Sequence, residues 1–70
     1  MSTVEERVKK VVAETLNVSE EEVRPERSLD ELAADNLDVS ELIIALEQEF
    51  QASLPEEINT VQAVIDWAKR

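Results

Sequence analysis

Residues 32–50 read LAADNLDVSELIIALEQEF and contain the longest helical pattern in the chain. Apolar side chains recur at helical spacing, and Asp35 stands directly before them, where its carboxylate can cap the first turn. We therefore predict a helix from about Asn36 to Gln51 that buries one apolar face. The residues on that face are Leu42, Ile43, Leu46 and Phe50.

A second helix is predicted upstream, from about Thr3 to Leu16, with valines at helical spacing and Ser2 as its cap. Asn17 follows this helix, and Asn readily adopts the left-handed backbone conformation with which many helices end. A third helix is predicted downstream, where Thr60 precedes another apolar stripe. That stripe consists of Val61, Val64, Ile65 and Ala68, with Trp67 on its flank.

The connections between these helices differ in length. From Asn17 to Ala34 the pattern is irregular, which predicts a long loop containing a single turn capped by Ser19 and a short turn beginning at Ser28. Pro55 favours a short helix of little more than one turn. The predicted fold is all-α: a small bundle of three main helices plus one short helix, with a long first loop, formed by residues 1–70 as a single domain.

Composition excludes several classes of chemistry. The chain of 70 residues has no Cys and no His, so it lacks a thiolate nucleophile, an imidazole base and the usual zinc, copper or iron ligands. It also has no Tyr. The longest apolar run, residues 42–46, is far shorter than the roughly 20 residues of a membrane span. We expect a cytoplasmic monomer with no enzymatic activity, no metal site and no membrane association.

Charge indicates the kind of partner. Seventeen acidic and seven basic residues give a net charge of −10, which repels nucleic acids and anionic membranes and favours basic protein surfaces. Solubility alone is the alternative explanation. Glycine is absent, whereas average usage near 7% would give about five in a chain of this length. This absence favours an engineered, computed or reconstructed sequence.

Residues 32–42 resemble the acyl carrier protein signature, in which Asp-Ser-Leu-Asp is followed by a Glu-Leu pair. The resemblance continues through residues 45–50, 54–55, 60–62 and 4–8, and so covers nearly the whole chain. It implies the carrier-protein fold. It also implies a family that carries acyl chains as 4′-phosphopantetheine thioesters in fatty-acid or polyketide synthesis.

The main departure from this family is Asn36, which stands where the family has the serine that receives 4′-phosphopantetheine. An amide nitrogen is a poor nucleophile because its lone pair is delocalised, so we expect no bound cofactor. Ser40 lies one helical turn of 5.4 Å away, too far to replace the missing hydroxyl. Three interpretations of Asn36 remain open: a deliberate block, a stability-driven design choice, or natural loss of carriage.

The helix that begins at Asn36 also resembles the surface with which carrier proteins dock on basic patches of their partner enzymes. The alternative is that its apolar residues complete the core edge and its acids form a solvated face. Two other functions are weighed: a stability-optimised scaffold without a partner, and a weak divalent-cation binder. The predicted docking residues are Asp35, Leu37, Asp38, Glu41, Ile44 and Glu47.

Overall fold

The computed structural model describes residues 3–69, and in this part of the chain the regular structure is helical. The elements are α1 (Val4–Leu16), a 3₁₀ turn (Glu20–Glu22), α2 (Leu29–Leu32), α3 (Asn36–Phe50) and α4 (Val61–Ala68). The predicted all-α bundle of three main helices and one short helix is confirmed. Among residues 3–69, no helix combines the length and hydrophobicity needed to cross a membrane.

Side-chain caps set where the helices begin. Asp35 caps α3 and Thr60 caps α4, as predicted, and Ser28 caps α2. For α1 the observed cap is Thr3, whose hydroxyl oxygen accepts the Glu6 N–H at 3.1 Å. The predicted cap Ser2 lies outside the described residues.

Two left-handed residues end the longer helices. Asn17 ends α1 at φ 58° and ψ 46°, as its residue type predicted. Gln51 ends α3 at φ 51° and ψ 48°, so the helix stops at Phe50, one residue earlier than predicted. Asn adopts this conformation readily, whereas Gln does so at an energetic cost.

The core lies between α1, α3 and α4. Leu42 and Leu46 of α3 are completely buried, and they pack in one cluster with Val8 and Val12 of α1. Burial of an aliphatic side chain of this kind contributes about 1.5–3 kcal/mol. The other large side chains that are fully buried are Val23, Val61, Val64 and Ile65.

The long first loop is attached to the start of α4 by backbone hydrogen bonds. The Leu29 N–H donates to the Asn59 carbonyl at 2.7 Å, and the Val61 N–H donates to the Arg27 carbonyl at 3.0 Å. These bonds flank an isolated antiparallel bridge between Ser28 and Thr60. The loop therefore covers the core and also holds the N-terminal end of α4.

The short helix predicted at Pro55 is not formed. The segment makes one turn, closed by the Ile58 N–H and the Pro55 carbonyl at 3.2 Å, and then extends toward Thr60. Only four residues separate Pro55 from Thr60, and the carbonyl of the last one, Asn59, accepts from Leu29. The short helix of the bundle is therefore α2, inside the long loop.

Side chains from α1 and α4 hold the C-terminal end of α3. The Arg7 guanidinium donates to Glu49 Oε2 from Nη2 at 2.9 Å and from Nε at 3.2 Å. Its Cζ also lies 4.8 Å from the centre of the Phe50 ring. Phe50 meets Trp67 edge to face with ring centres 5.7 Å apart, and Trp67 Nε1–H donates to the Ser53 carbonyl at 2.9 Å. These contacts link three helices and the loop after α3.

Candidate functional site

Asn36, the residue at the predicted attachment position, is the first residue of α3 and is exposed. Its side chain carries an amide, which accepts through its oxygen and donates through its nitrogen but has no hydroxyl. The preceding residue, Asp35, has extended backbone dihedral angles, φ −157° and ψ −178°. The chain thus turns directly from an extended residue into the helix, and position 36 lies at that turn.

Two aspartates on either side of this position accept hydrogen bonds from nearby backbone N–H groups. Asp35 Oδ1 accepts the Asp38 N–H at 3.0 Å, which confirms the predicted cap. Asp38 Oδ2 accepts the Ala34 N–H at 3.3 Å. In a capping box the side chain at the position of Asp38 would accept the Asp35 N–H, so the bond from Ala34 differs from that pattern and was not predicted from the sequence. Both carboxylates at the start of α3 are therefore bonded to backbone within residues 34–38.

An apolar and acidic stripe runs along α3 from this turn. Leu37 is 65% exposed and Ile44 is 54% exposed, so neither residue completes the core edge. At about 100° per residue, Leu37, Glu41 and Ile44 lie within an arc of about 60°. Glu41 is exposed between the two apolar side chains. We call these three residues the α3 stripe.

Glu47, the last of the predicted docking residues, has a structural contact. It is half-buried, and its Oε2 accepts the Leu54 N–H at 2.9 Å. The bond joins the last turn of α3 to the segment that follows it. No local pattern indicates a contact between residues seven positions apart on either side of a chain reversal. Four of the six predicted residues thus lie within residues 35–41 at the start of α3, Ile44 lies in the middle of the helix, and Glu47 makes a structural contact near its end.

The α3 stripe does not border three clefts that lie elsewhere on the surface. Clefts of about 280, 300 and 370 Å³ lie between α1 and α3 and at the C-terminal ends of α3 and α4. None of these three clefts is lined by a residue of the segment 34–44. The candidate site is consequently an exposed helix surface outside these three clefts.

Carboxylates are numerous, but their arrangement does not favour the cation-binding alternative. In the part of the chain that the structure describes, no group of three or more acidic side chains is placed so that it could hold a metal ion.

The pKa of the Glu31 carboxyl lies below its ordinary value, because the carboxylate receives hydrogen bonds from the backbone and hydroxyl of Ser28. Glu31 precedes the site, at the end of the long loop.

Comparison with protein families identifies the chain. The family model described as "Phosphopantetheine attachment site" matches residues 6–68, which spans α1 to α4 and includes the turn at Asn36. This agrees with the resemblance of residues 32–42 to the carrier-protein signature and with the helix order. The chain belongs to the phosphopantetheine-attachment family, the carrier proteins.

Proposed function

We propose that this domain retains the partner-docking surface of a carrier protein and carries no prosthetic group. The observation that carries the proposal is Asn36, an exposed amide at the first position of α3, where the family resemblance places the acceptor serine. The fold is that of a carrier protein, and the exposed α3 stripe supports retained docking, while the side chain at the attachment position differs.

The amide side chain at position 36 is not a suitable attachment group for phosphopantetheine. Transfer from coenzyme A needs a hydroxyl oxygen that attacks the pyrophosphate, and the amide of Asn36 has no such oxygen. Ser40 has a hydroxyl but lies one turn along the helix, about 5.4 Å from the acceptor position. A displacement of that size removes most of the advantage of a positioned reaction. We therefore expect the chain to stay unmodified.

Docking is supported by exposure and charge together. Leu37 and Ile44 are exposed apolar side chains with the acidic Glu41 between them, on a chain of net charge −10. Such a surface fits an enzyme with an apolar spot inside a basic patch, because opposite charges steer the encounter and apolar contact stabilises the complex. The partners we propose are enzymes that act on carrier proteins, including the transferase that loads them.

The first experiment measures modification. The chain and the variant Asn36→Ser are each incubated with coenzyme A and a promiscuous phosphopantetheinyl transferase, and intact mass is recorded. We expect no mass gain for the parent chain and the gain of one phosphopantetheine group for the variant. Modification of the parent at Ser40 or elsewhere would overturn the loss of carriage. A folded Asn36→Ser variant that stays unmodified would overturn the docking proposal.

The second experiment measures docking without modification. The parent chain is added as an inhibitor while the transferase modifies the Asn36→Ser variant. Because the two proteins share the α3 stripe, we expect competitive inhibition with a constant near the KM of the variant, weakened by added salt. A parent carrying Glu41→Lys should inhibit far less. Absence of inhibition at concentrations above that KM would contradict docking by the parent chain.

A stability-optimised scaffold without partners is the second candidate. It is favoured by the absence of glycine and by a core in which Leu42, Leu46 and Val8 are completely buried. This candidate predicts that neither the parent chain nor the Asn36→Ser variant interacts with the transferase at low salt. The two experiments above therefore separate it from the docking proposal.

A further inference from the structure

The two aspartate hydrogen bonds at the start of α3 lie on either side of position 36, where the family has the serine that receives phosphopantetheine. Asp35 accepts from the backbone of Asp38, and Asp38 accepts from the backbone of Ala34, so the bonds join both ends of the segment 34–38. Asn36 and Leu37 lie between the bonded residues and are exposed. A segment tied at both ends displays its middle residues in a defined orientation.

Asp38 makes a bond that an ordinary helix cap does not require. The carboxylate of Asp35 alone already caps the helix by accepting the Asp38 N–H. The bond from Ala34 instead fixes the residue that precedes the cap, outside the helix. Consistent with this contact, Asp38 is half-buried, whereas Glu41, one turn further along α3, is exposed.

We propose that Asp38 is a positioning residue, which holds the turn of residues 34–38 so that the side chain at position 36 is presented to a docked enzyme in one orientation. This inference rests on the proposed function, in which an enzyme that acts on carriers recognises the start of α3. Orientation matters because small displacements of a reacting group cost large factors in rate. Asp38 would thus act through geometry in addition to its charge.

The first test uses the chain as it stands and requires no partner. Amide hydrogen exchange at Ala34 is measured in the parent, in Asp38→Asn, which keeps an acceptor oxygen, and in Asp38→Ala, which does not. Loss of one exposed hydrogen bond should speed exchange between about two- and ten-fold in Asp38→Ala, with little change in Asp38→Asn. Glu41→Ala is the matched control and should leave Ala34 unchanged. Equal exchange in all four proteins would overturn the role of Asp38 in holding the turn.

The second test adds the same substitutions to Asn36→Ser and measures transferase kinetics. Asp38→Ala should lower kcat by up to about ten-fold, while Asp38→Asn should keep kcat and raise KM because only charge is lost. Glu41→Ala should raise KM alone. If Asp38→Asn and Asp38→Ala behave alike, Asp38 acts only through charge and the inference is wrong. If Asn36→Ser is not modified at all, the proposed function fails, and Ala34 exchange alone decides whether Asp38 holds the turn.

Discussion

The two ends of α3 use their polar groups in opposite ways. At the N-terminal end, Asp35 and Asp38 bond to backbone within the same short segment, and Leu37 beside them is 65% exposed. At the C-terminal end, Glu47 bonds to Leu54, and Glu49 bonds to Arg7 of α1. The side-chain hydrogen bonds at one end are therefore local, whereas those at the other end join α3 to distant parts of the fold.

The exposed side chains at the N-terminal end of α3 are available to a partner, whereas the contacts at its C-terminal end stabilise the fold. A turn held by hydrogen bonds within its own segment can leave apolar side chains exposed without losing its shape, which a docking surface requires. An end held by distant segments loses stability when any of those segments changes. We therefore expect substitutions at the C-terminal end to alter folding, and substitutions at the N-terminal end to alter interactions with partners.

The largest expected effect is at Trp67, which packs on Phe50 at the C-terminal end. Trp67 is 6% exposed, so Trp67→Ala should cost about 3–5 kcal/mol, a large share of the stability of a domain this small. Leu37→Ala, at the N-terminal end, should change stability by no more than about 0.5 kcal/mol. Urea unfolding followed by circular dichroism measures both. A cost above about 1 kcal/mol for Leu37→Ala would contradict the division between the two ends.

The next largest expected loss of stability is at Glu47 of α3, and Glu41 of the same helix is its control. Glu47→Ala removes the acceptor of the half-buried Leu54 N–H and should cost about 1 kcal/mol, whereas Glu47→Gln keeps an acceptor oxygen and should recover most of that loss. Glu41→Ala should leave stability within about 0.5 kcal/mol and weaken inhibition of the transferase. Chemical unfolding and the inhibition assay are run on the same proteins. Equal stability of Glu47→Ala and Glu41→Ala would show that the Leu54 bond contributes nothing.

A smaller effect, of opposite sign, is expected at Gln51. Its left-handed backbone, φ 51°, is costly for a residue with a side chain, and Gln51→Gly should stabilise the fold by about 0.5–1 kcal/mol. Asn17, at φ 58°, is the matched control because Asn tolerates this region, so Asn17→Gly should gain at most a few tenths of a kcal/mol. Melting temperatures of the two variants show whether Gln51→Gly gains more stability than Asn17→Gly. A destabilised Gln51→Gly would mean that unfolded-state entropy outweighs the relief of strain.

The smallest effect concerns Glu31, in the segment that leads into the N-terminal end of α3. Hydrogen bonds from the backbone and hydroxyl of Ser28 hold the pKa of the Glu31 carboxyl below its ordinary value. A lowered folded-state pKa stabilises the fold above the unfolded Glu pKa of about 4.3, and this contribution is lost as pH falls through the lower folded-state pKa.

Melting temperatures measured at several pH values test this pH dependence. The parent should melt slightly above Glu31→Gln at pH 6, and the difference should shrink as pH falls below the unfolded Glu pKa of about 4.3. Relief of repulsion at a net charge of −10 raises both melting temperatures together in moderate acid, so only the difference between them is diagnostic. Glu57→Gln, at an exposed position of the turn after Pro55, is the control. A difference between parent and Glu31→Gln that grows toward pH 3 would contradict the lowered pKa.

Several features of the fold could be predicted from residues close together in the chain. Asp35 and Thr60 cap helices, Asn17 ends one, and Ser28 with Glu31 forms a capping box. Each of these contacts spans four residues or fewer, so residue type and spacing were sufficient. The inward stripe of α3 was predictable for the same reason, since Leu42 and Leu46 recur at helical spacing and are fully buried.

The candidate site was predictable in position and only partly in detail. The family resemblance placed Asn36 at the start of α3, and helical spacing placed Leu37 and Ile44 on one side of it. Whether those two side chains were exposed or completed the core depended on which helices pack against α3, and periodicity alone did not decide it. The structure leaves both exposed. The role of Glu47 in the same helix was not predicted.

The sequence by itself determined the three longer helices, the caps Asp35 and Thr60 and the amide at position 36, because these depend on neighbouring residues and on side-chain chemistry. Only the tertiary structure decided that Glu47 binds Leu54, that Arg7 reaches Glu49, and that the segment after Pro55 turns once and extends. These contacts join residues that are distant along the chain or lie on opposite sides of a chain reversal. The packing of α1, α3 and α4 brings such segments together, and no local pattern encodes that packing.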